Sequence, residues 1–172
     1  LDLVADTEIQ IAATTIDING AVDISGNLTT PAQPAFLATP ASEQANIATD
    51  SDITVVFGTE IFDQGGNFAS NTFTAPVTGK YQFNARIRVD VIDTAALYYL
   101  VKIRASNRDI LVDILEPDIS SSDLPYHSMG GSVLVDMDAS DTCYVIVEQN
   151  GGTAQSDIQS GTNTTFSGYL AC

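Results

Sequence analysis

From Lys80 to Val89 the chain alternates without a break. Tyr81, Phe83, Ala85, Ile87 and Val89 fall on one side, and Lys80, Gln82, Asn84, Arg86 and Arg88 on the other. A period of two is what a half-buried β-strand needs, apolar toward a core and polar toward water. A helix cannot use it, because residues on one helical face recur at three and four. Just upstream, Phe73-Thr74-Ala75-Pro76-Val77-Thr78-Gly79 reads as a strand entering a tight turn. Pro76 has a fixed φ and no N–H to donate, and Gly79 is free to take a positive φ.

The remaining patterns extend this reading. A strand is expected to open at Ala35-Phe36-Leu37 after a semi-rigid linker, 31–34, that carries two prolines. Residues 38–52 are small and polar, and read as a loop. Further strands are expected over 53–58, 60–64, 96–104, 110–115, 132–137, 142–148 and 164–171. Within 96–104 the run Leu97-Tyr98-Tyr99-Leu100-Val101 is apolar throughout. Burial on both faces would explain it, which makes these five residues the candidate oligomer interface. Two long polar stretches, 116–128 and 149–163, read as loops. About ten strands with regular turn signals and no amphipathic helix predict an antiparallel sandwich over 35–172.

Residues 1–30 differ in kind. Ile9-Gln10-Ile11, Ile16-Asp17-Ile18 and Val22-Asp23-Ile24 are short alternating triplets separated by turn formers. Strands this short bury nothing within one chain, and become stable when stacked or wound with other copies.

Charge narrows the partners. Six Lys and Arg stand against 22 Asp and Glu, a net charge of −16. Such a surface repels phosphate backbones and anionic bilayers, so nucleic acid and membrane insertion are not expected. The arginines and lysines within strands are expected to pair with acids across neighbouring strands. Cys143 and Cys172 form neither a disulfide scaffold nor a zinc spacing, and read as free thiols. No charged-then-apolar leader opens the sequence, and a start at Leu1 rather than Met suggests a fragment or processed product. The single histidine, His127, lies near serines and aspartates. A triad is a matter of geometry, however, and no catalytic residue is expected. Contact by loops on a rigid scaffold is the better reading. Tyr126, His127, Asn150, Gln155, Gln159 and Asn163 are the candidate surface-binding residues, since an aromatic face and amide groups suit sugar hydroxyls or a polar protein surface.

The run Phe73-x-Ala75-Pro76-x-x-Gly79-x-Tyr81-x-Phe83 resembles the signature of the C1q/tumour-necrosis-factor-like globular domain. Gly130-Gly131-Ser132-Val133-Leu134 with Asp141, the closing Phe166-Ser167-Gly168-Tyr169-Leu170 and the opening Pro34-Ala35-Phe36 resemble its other motifs, in the same order. Ala139-Ser140-Asp141 departs from it where a glycine usually precedes the Asp. The resemblance implies an all-β, ten-stranded antiparallel jelly roll that assembles as a homotrimer and is not an enzyme. It also implies a possible calcium ion, with Asp90 and Asp93 near where ligands would lie. Residues 1–30 resemble the shaft repeats of bacteriophage tail fibres. Together the two resemblances imply the receptor-binding tip of a fibre on a virion, recognising a host-surface glycan or protein. The alternative is a ligand-binding module of a secreted or cell-surface protein, and a glycan-degrading tailspike is a minor third reading.

Overall fold

The computed structural model describes residues 11, 16–106 and 108–172. They fall into two compact units, one ending at Thr30 and one running from Pro31 to Cys172. In the first, the described residues form no strand, and Ile16, Ile18, Val22, Ile24 and Leu28 are 50–71% exposed. Of the triplet Ile9-Gln10-Ile11, the first two residues lie outside the described residues.

The second unit is a sandwich of twelve strands, with no α-helix among the described residues. In chain order they are β1 (Ala35–Thr39), β2 (Ile53–Thr54), β3 (Thr59–Gln64), β4 (Phe68–Ala69), β5 (Thr72–Thr74), β6 (Gly79–Ile92), β7 (Ala96–Ala105), β8 (Arg108–Leu115), β9 (Leu124–Met137), β10 (Thr142–Gly151), β11 (Asp157–Ile158) and β12 (Thr165–Leu170). One antiparallel sheet runs β9-β6-β12-β1-β3, with β11 beside β12 on the β6 edge. The other runs β8-β7-β10-β5-β4, with β2 beside β5 on the β10 edge.

The alternating stretch is the spine of the first sheet. Tyr81, Phe83, Ala85, Ile87 and Val89 of β6 all face the core and are at most 5% exposed. Phe36, Phe73 and Phe166 pack around Phe83, and Phe68 stacks on Phe36 with ring centroids 4.7 Å apart. Burying an aromatic ring of this size contributes roughly 2–3 kcal/mol. Of the seven phenylalanines only Phe62, on β3, remains half exposed.

Several expectations change in detail. Twelve strands replace ten, because β4 and β11 are two-residue pairings too short to leave a periodic signal, while β2 covers only the first two residues of the strand expected over 53–58. Gly79 has no positive φ. It is a glycine for want of room, since a Cβ would come within 2.7 Å of Leu170 Cδ1 and 2.8 Å of the Cys172 carbonyl oxygen. The positive φ of the neighbouring turn falls on Ser140, at +78°, where the family pattern carries glycine. The largest correction concerns the stretch 116–128, whose second half is the start of β9 rather than a loop.

Candidate functional site

The two ends of the sandwich differ. At one, the chain enters: Gln33 Nε2 donates to the Leu170 carbonyl at 2.5 Å, and Lys80 N donates to the Cys172 carbonyl at 2.6 Å. At the other, the far end of β6 meets both stretches that carry the candidate binding residues. There β6 pairs with Leu124 and Tyr126 of β9 on one edge and with Asp157 and Ile158 of β11 on the other.

The β6–β7 turn clasps these two stretches together. Asp93 is 3% exposed. Its Oδ2 accepts from the backbone N–H of Thr153, from that of Ala154 at 2.8 Å and from the Thr153 hydroxyl at 3.2 Å, while Oδ1 accepts from Ala95 N–H. Burial pushes the carboxyl up, but the donors from Ala154, Ala95 and Thr153 outweigh it and hold it below the usual aspartate value. Tyr99 Oη accepts from Asp93 N–H and shares a 2.8 Å hydrogen bond with Ser156 Oγ, while Gln149 Oε1 accepts from Ser156 N–H. The next residue, Thr94, holds the other stretch: its N–H and hydroxyl both donate to Asp123 Oδ1, at 2.9 and 2.7 Å. Consecutive turn residues therefore each grip one of the two stretches.

On the outward face of the first sheet, Arg88 lies 4.3 Å from the centroid of the Tyr126 ring and pairs with Asp90 at 2.8 Å. Gln159 Nε2 donates to the other Asp90 oxygen at 2.9 Å. Tyr126 and Gln159, from separate stretches, thus meet on one patch through Arg88 and Asp90. The other candidates do not join them. His127 pairs with core-facing Val89 whereas Tyr126 pairs with Asp90, so successive strand residues send their side chains to opposite faces. Asn150 sits opposite Tyr98 on the outward face of the second sheet. Gln155 donates to the Ile47 carbonyl at 3.1 Å, and Asn163 ends an exposed 3₁₀ turn. Arg88 carries no mark in sequence beyond its place in the alternation, and its cluster is visible only once β9 and β11 flank β6.

The anticipated calcium does not suit these carboxylates. N–H and O–H donors already occupy the oxygens of Asp93, and the Arg88 guanidinium and Gln159 amide occupy those of Asp90. Donor hydrogens aimed at an oxygen would oppose a cation there. Among the described residues no group of three or more potential ligands could hold a metal ion.

The apolar run of β7 divides in two. Tyr99 and Val101 are wholly buried in the chain's own core, so their burial requires no partner. Tyr98 and Leu100 are half-buried on the outward face, and Leu97 is 66% exposed. Of the strand cations, Arg104 faces Asp109 across β7–β8 and Lys102 pairs with Glu148 of β10 at 2.8 Å. Arg88 pairs within its own strand instead.

Known proteins agree with this architecture. The C1q-domain model matches residues 35–171. The chain belongs to the C1q-domain family. Among solved structures, it resembles the globular domain of zebrafish complement 1qA protein at 17% identity and a TM-score of 0.54, over 81% of this chain and 98% of that one. Murine APRIL is similar at 15% identity and a TM-score of 0.53, over 80% and 98% of the two chains. No curated protein matches the sequence. C1q domains are non-enzymatic binding modules, and a jelly roll with loops clasped at one end is consistent with that role. No helix among the described residues is long and apolar enough to cross a membrane.

Proposed function

We propose that this C1q domain is the trimeric binding head of a fibre. In this reading it recognises a host-surface glycan or protein through the end opposite chain entry, with residues 1–30 as the last part of a shaft. The observation that carries it is the double clasp at Asp93 and Thr94. It presents two chain stretches as one rigid surface, and a preorganised surface loses little entropy on binding. Around Tyr126, Arg88 and Gln159 that surface offers a ring face, a cation and amides, which are groups suited to sugars or polar protein surfaces.

The homotrimer draws support from family membership and from surface chemistry. Phe62, Leu134 and Tyr169 stand 48–55% exposed on the first sheet, whose core-facing side is already filled. A ring of three copies closing on that face would cover them. The exposed apolar residues of the second sheet, Leu97, Leu111 and Ile114, are all aliphatic, whereas the first sheet exposes two aromatic rings, Phe62 and Tyr169, of the kind enriched at interfaces. The exposed isoleucines of 16–28 support the shaft, because alternating apolar residues left open in one chain are what winding with identical copies would bury.

Light scattering on the full chain tests the assembly. Three times the 18.2 kDa chain mass is expected, with Phe62→Glu reducing it and Leu97→Glu leaving it unchanged. A monomeric wild type would overturn the trimer. Adsorption of labelled protein to whole bacterial cells tests recognition: Tyr126→Ala and Gln159→Ala should weaken it, and adsorption indifferent to both would place contact elsewhere. A second reading, a module of a secreted or cell-surface protein, is favoured by the animal complement and APRIL domains that share the fold. The two readings part over residues 1–30: without them the head stays trimeric in both, but the melting temperature of the trimer should fall only if they wind as a shaft.

A further inference from the structure

The dipeptide Asn-Gly occurs twice, at Asn19-Gly20 and Asn150-Gly151. It is open to one covalent change. The backbone nitrogen of the glycine loses its proton and attacks the carbonyl carbon of the asparagine side chain. A carbon–nitrogen bond closes a five-membered imide, and the side-chain nitrogen leaves as ammonia. Water then opens the ring at either carbonyl, giving aspartate or isoaspartate, so no other reagent is needed. Glycine favours closure because it has no Cβ to block the ring. Two structural demands remain. The asparagine backbone must rotate until its side-chain carbonyl carbon meets the next nitrogen, and that nitrogen must be able to give up its proton.

The two sites differ on both demands. Asn150 belongs to β10 and pairs with Tyr98 of β7, so rotation there would break the ladder. Gly151 N–H donates to Asp50 Oδ1 at 2.9 Å, and a carboxylate beside an amide opposes loss of its proton. Asn19 lies in no strand, and both it and Gly20 are exposed. Nothing lies within 4 Å of where a Gly20 Cβ would sit, so the ring has room to form. Gly20 N–H donates to the Ile18 carbonyl at 3.2 Å, a neutral acceptor two residues back. The Asp17 carboxylate lies 3.3 Å from the side-chain nitrogen of Asn19, which is the leaving nitrogen and not the attacking one. We propose that Asn19 is a site of spontaneous deamidation to aspartate and isoaspartate, while Asn150 is shielded by Asp50 and the β7–β10 pairing. Each event adds one negative charge between the second and third apolar triplets of 1–30, and isoaspartate adds a methylene to the backbone there. A wound shaft and an open linker both contain that turn, and the binding surface of the head is not involved.

Incubation of the full chain at mildly alkaline pH, followed by peptide mass spectrometry, tests it. Cleavage after glutamate yields peptides 9–43 and 149–172, which carry one Asn-Gly each, and fragment ions place the new acid. In the folded protein Asn19 should convert at least roughly tenfold faster than Asn150, because closure at Asn150 waits on local opening of the strand. In denaturing urea the two rates should come together. Gly20→Ala should slow Asn19 and leave Asn150 unchanged. Asp50→Gly should speed Asn150 several-fold and leave Asn19 unchanged. Asp50 is exposed and has a φ of +57°, so glycine replaces it without strain and the fold is kept. Any of three results would overturn the proposal: equal rates in the folded chain, a difference that persists in urea, or an Asn150 rate indifferent to Asp50→Gly.

Discussion

Residues 116–128 and 149–163 look alike in sequence, both polar and rich in small residues, yet they fold differently. From Leu124 the first becomes regular strand, hydrogen-bonded along β6 as far as Met137. The second is irregular over most of its length after β10 ends, and is held by side chains at Asp93, Gln149 and Ser156. The difference lies in what each has beside it. β6 is fourteen residues long and presents a free edge to β9 along all of it, so backbone pairing orders residues that have no alternation of their own. Even Pro125 is tolerated, because it falls opposite Val91, where the ladder is interrupted and Val91 adopts a φ of +58°. No such edge is open to 152–156, and a buried carboxylate with a ring of donors takes its place. A polar stretch beside a long strand edge is ordered by its backbone; one beside a turn is ordered by whichever buried side chain reaches it.

Substitutions can break each mode separately. The largest effect is expected from Gly130→Ala, which strikes the backbone mode. A Cβ at that position would overlap the Ala85 carbonyl oxygen and crowd Arg86 Cα, both backbone and unable to yield. Prying β9 from β6 should lower unfolding free energy by more than ~3 kcal/mol in urea titration, an overpacking penalty at the upper end. If instead the loss stays under 1 kcal/mol, the ladder bends freely and the rigid-edge account fails.

Asp93→Ala strikes the side-chain mode. Removing the acceptor leaves the amides of Ala95, Thr153 and Ala154 without it, at about 2–4 kcal/mol. Hydrogen exchange should accelerate at 151–156 and much less in β9. Because the folded carboxyl titrates below its unfolded value, its contribution is complete above the unfolded pKa of about 3.9. It is lost as pH falls through the lower folded value. The gap between wild type and Asp93→Ala, followed by urea titration from pH 7 to pH 2, should therefore stay constant down to about pH 4 and narrow below it. A gap independent of pH would show that the charge is irrelevant to the clasp.

Tyr126→Ala is expected to be the mildest. The ring is 57% exposed, and its contact with Arg88 stabilises by no more than ~1 kcal/mol at such a site. Thermal melts should shift little while cell adsorption falls, which would separate a binding residue from a structural one.

The sequence by itself determined the class of the fold and its spine. The unbroken alternation of Lys80–Val89, the Gly130-Gly131 pair and the Phe166–Leu170 closure each encode a local period or a steric demand, and such demands survive being read one segment at a time. The apolar face of β6 was legible for the same reason, down to the residues that meet Phe36 and Phe166 in the core. Only the tertiary structure decided which polar residues share a surface. Tyr126 and His127 are neighbours in the chain and part company across the pleat, whereas Tyr126 and Gln159 come together through Arg88 and Asp90. Likewise, Asn19-Gly20 and Asn150-Gly151 are the same dipeptide, and the Asp50 carboxylate and the pairing with β7 set the second apart. Alternation is a property of consecutive residues, but a binding surface depends on which strands lie side by side. That order is set by long-range pairing, which no short stretch of sequence contains.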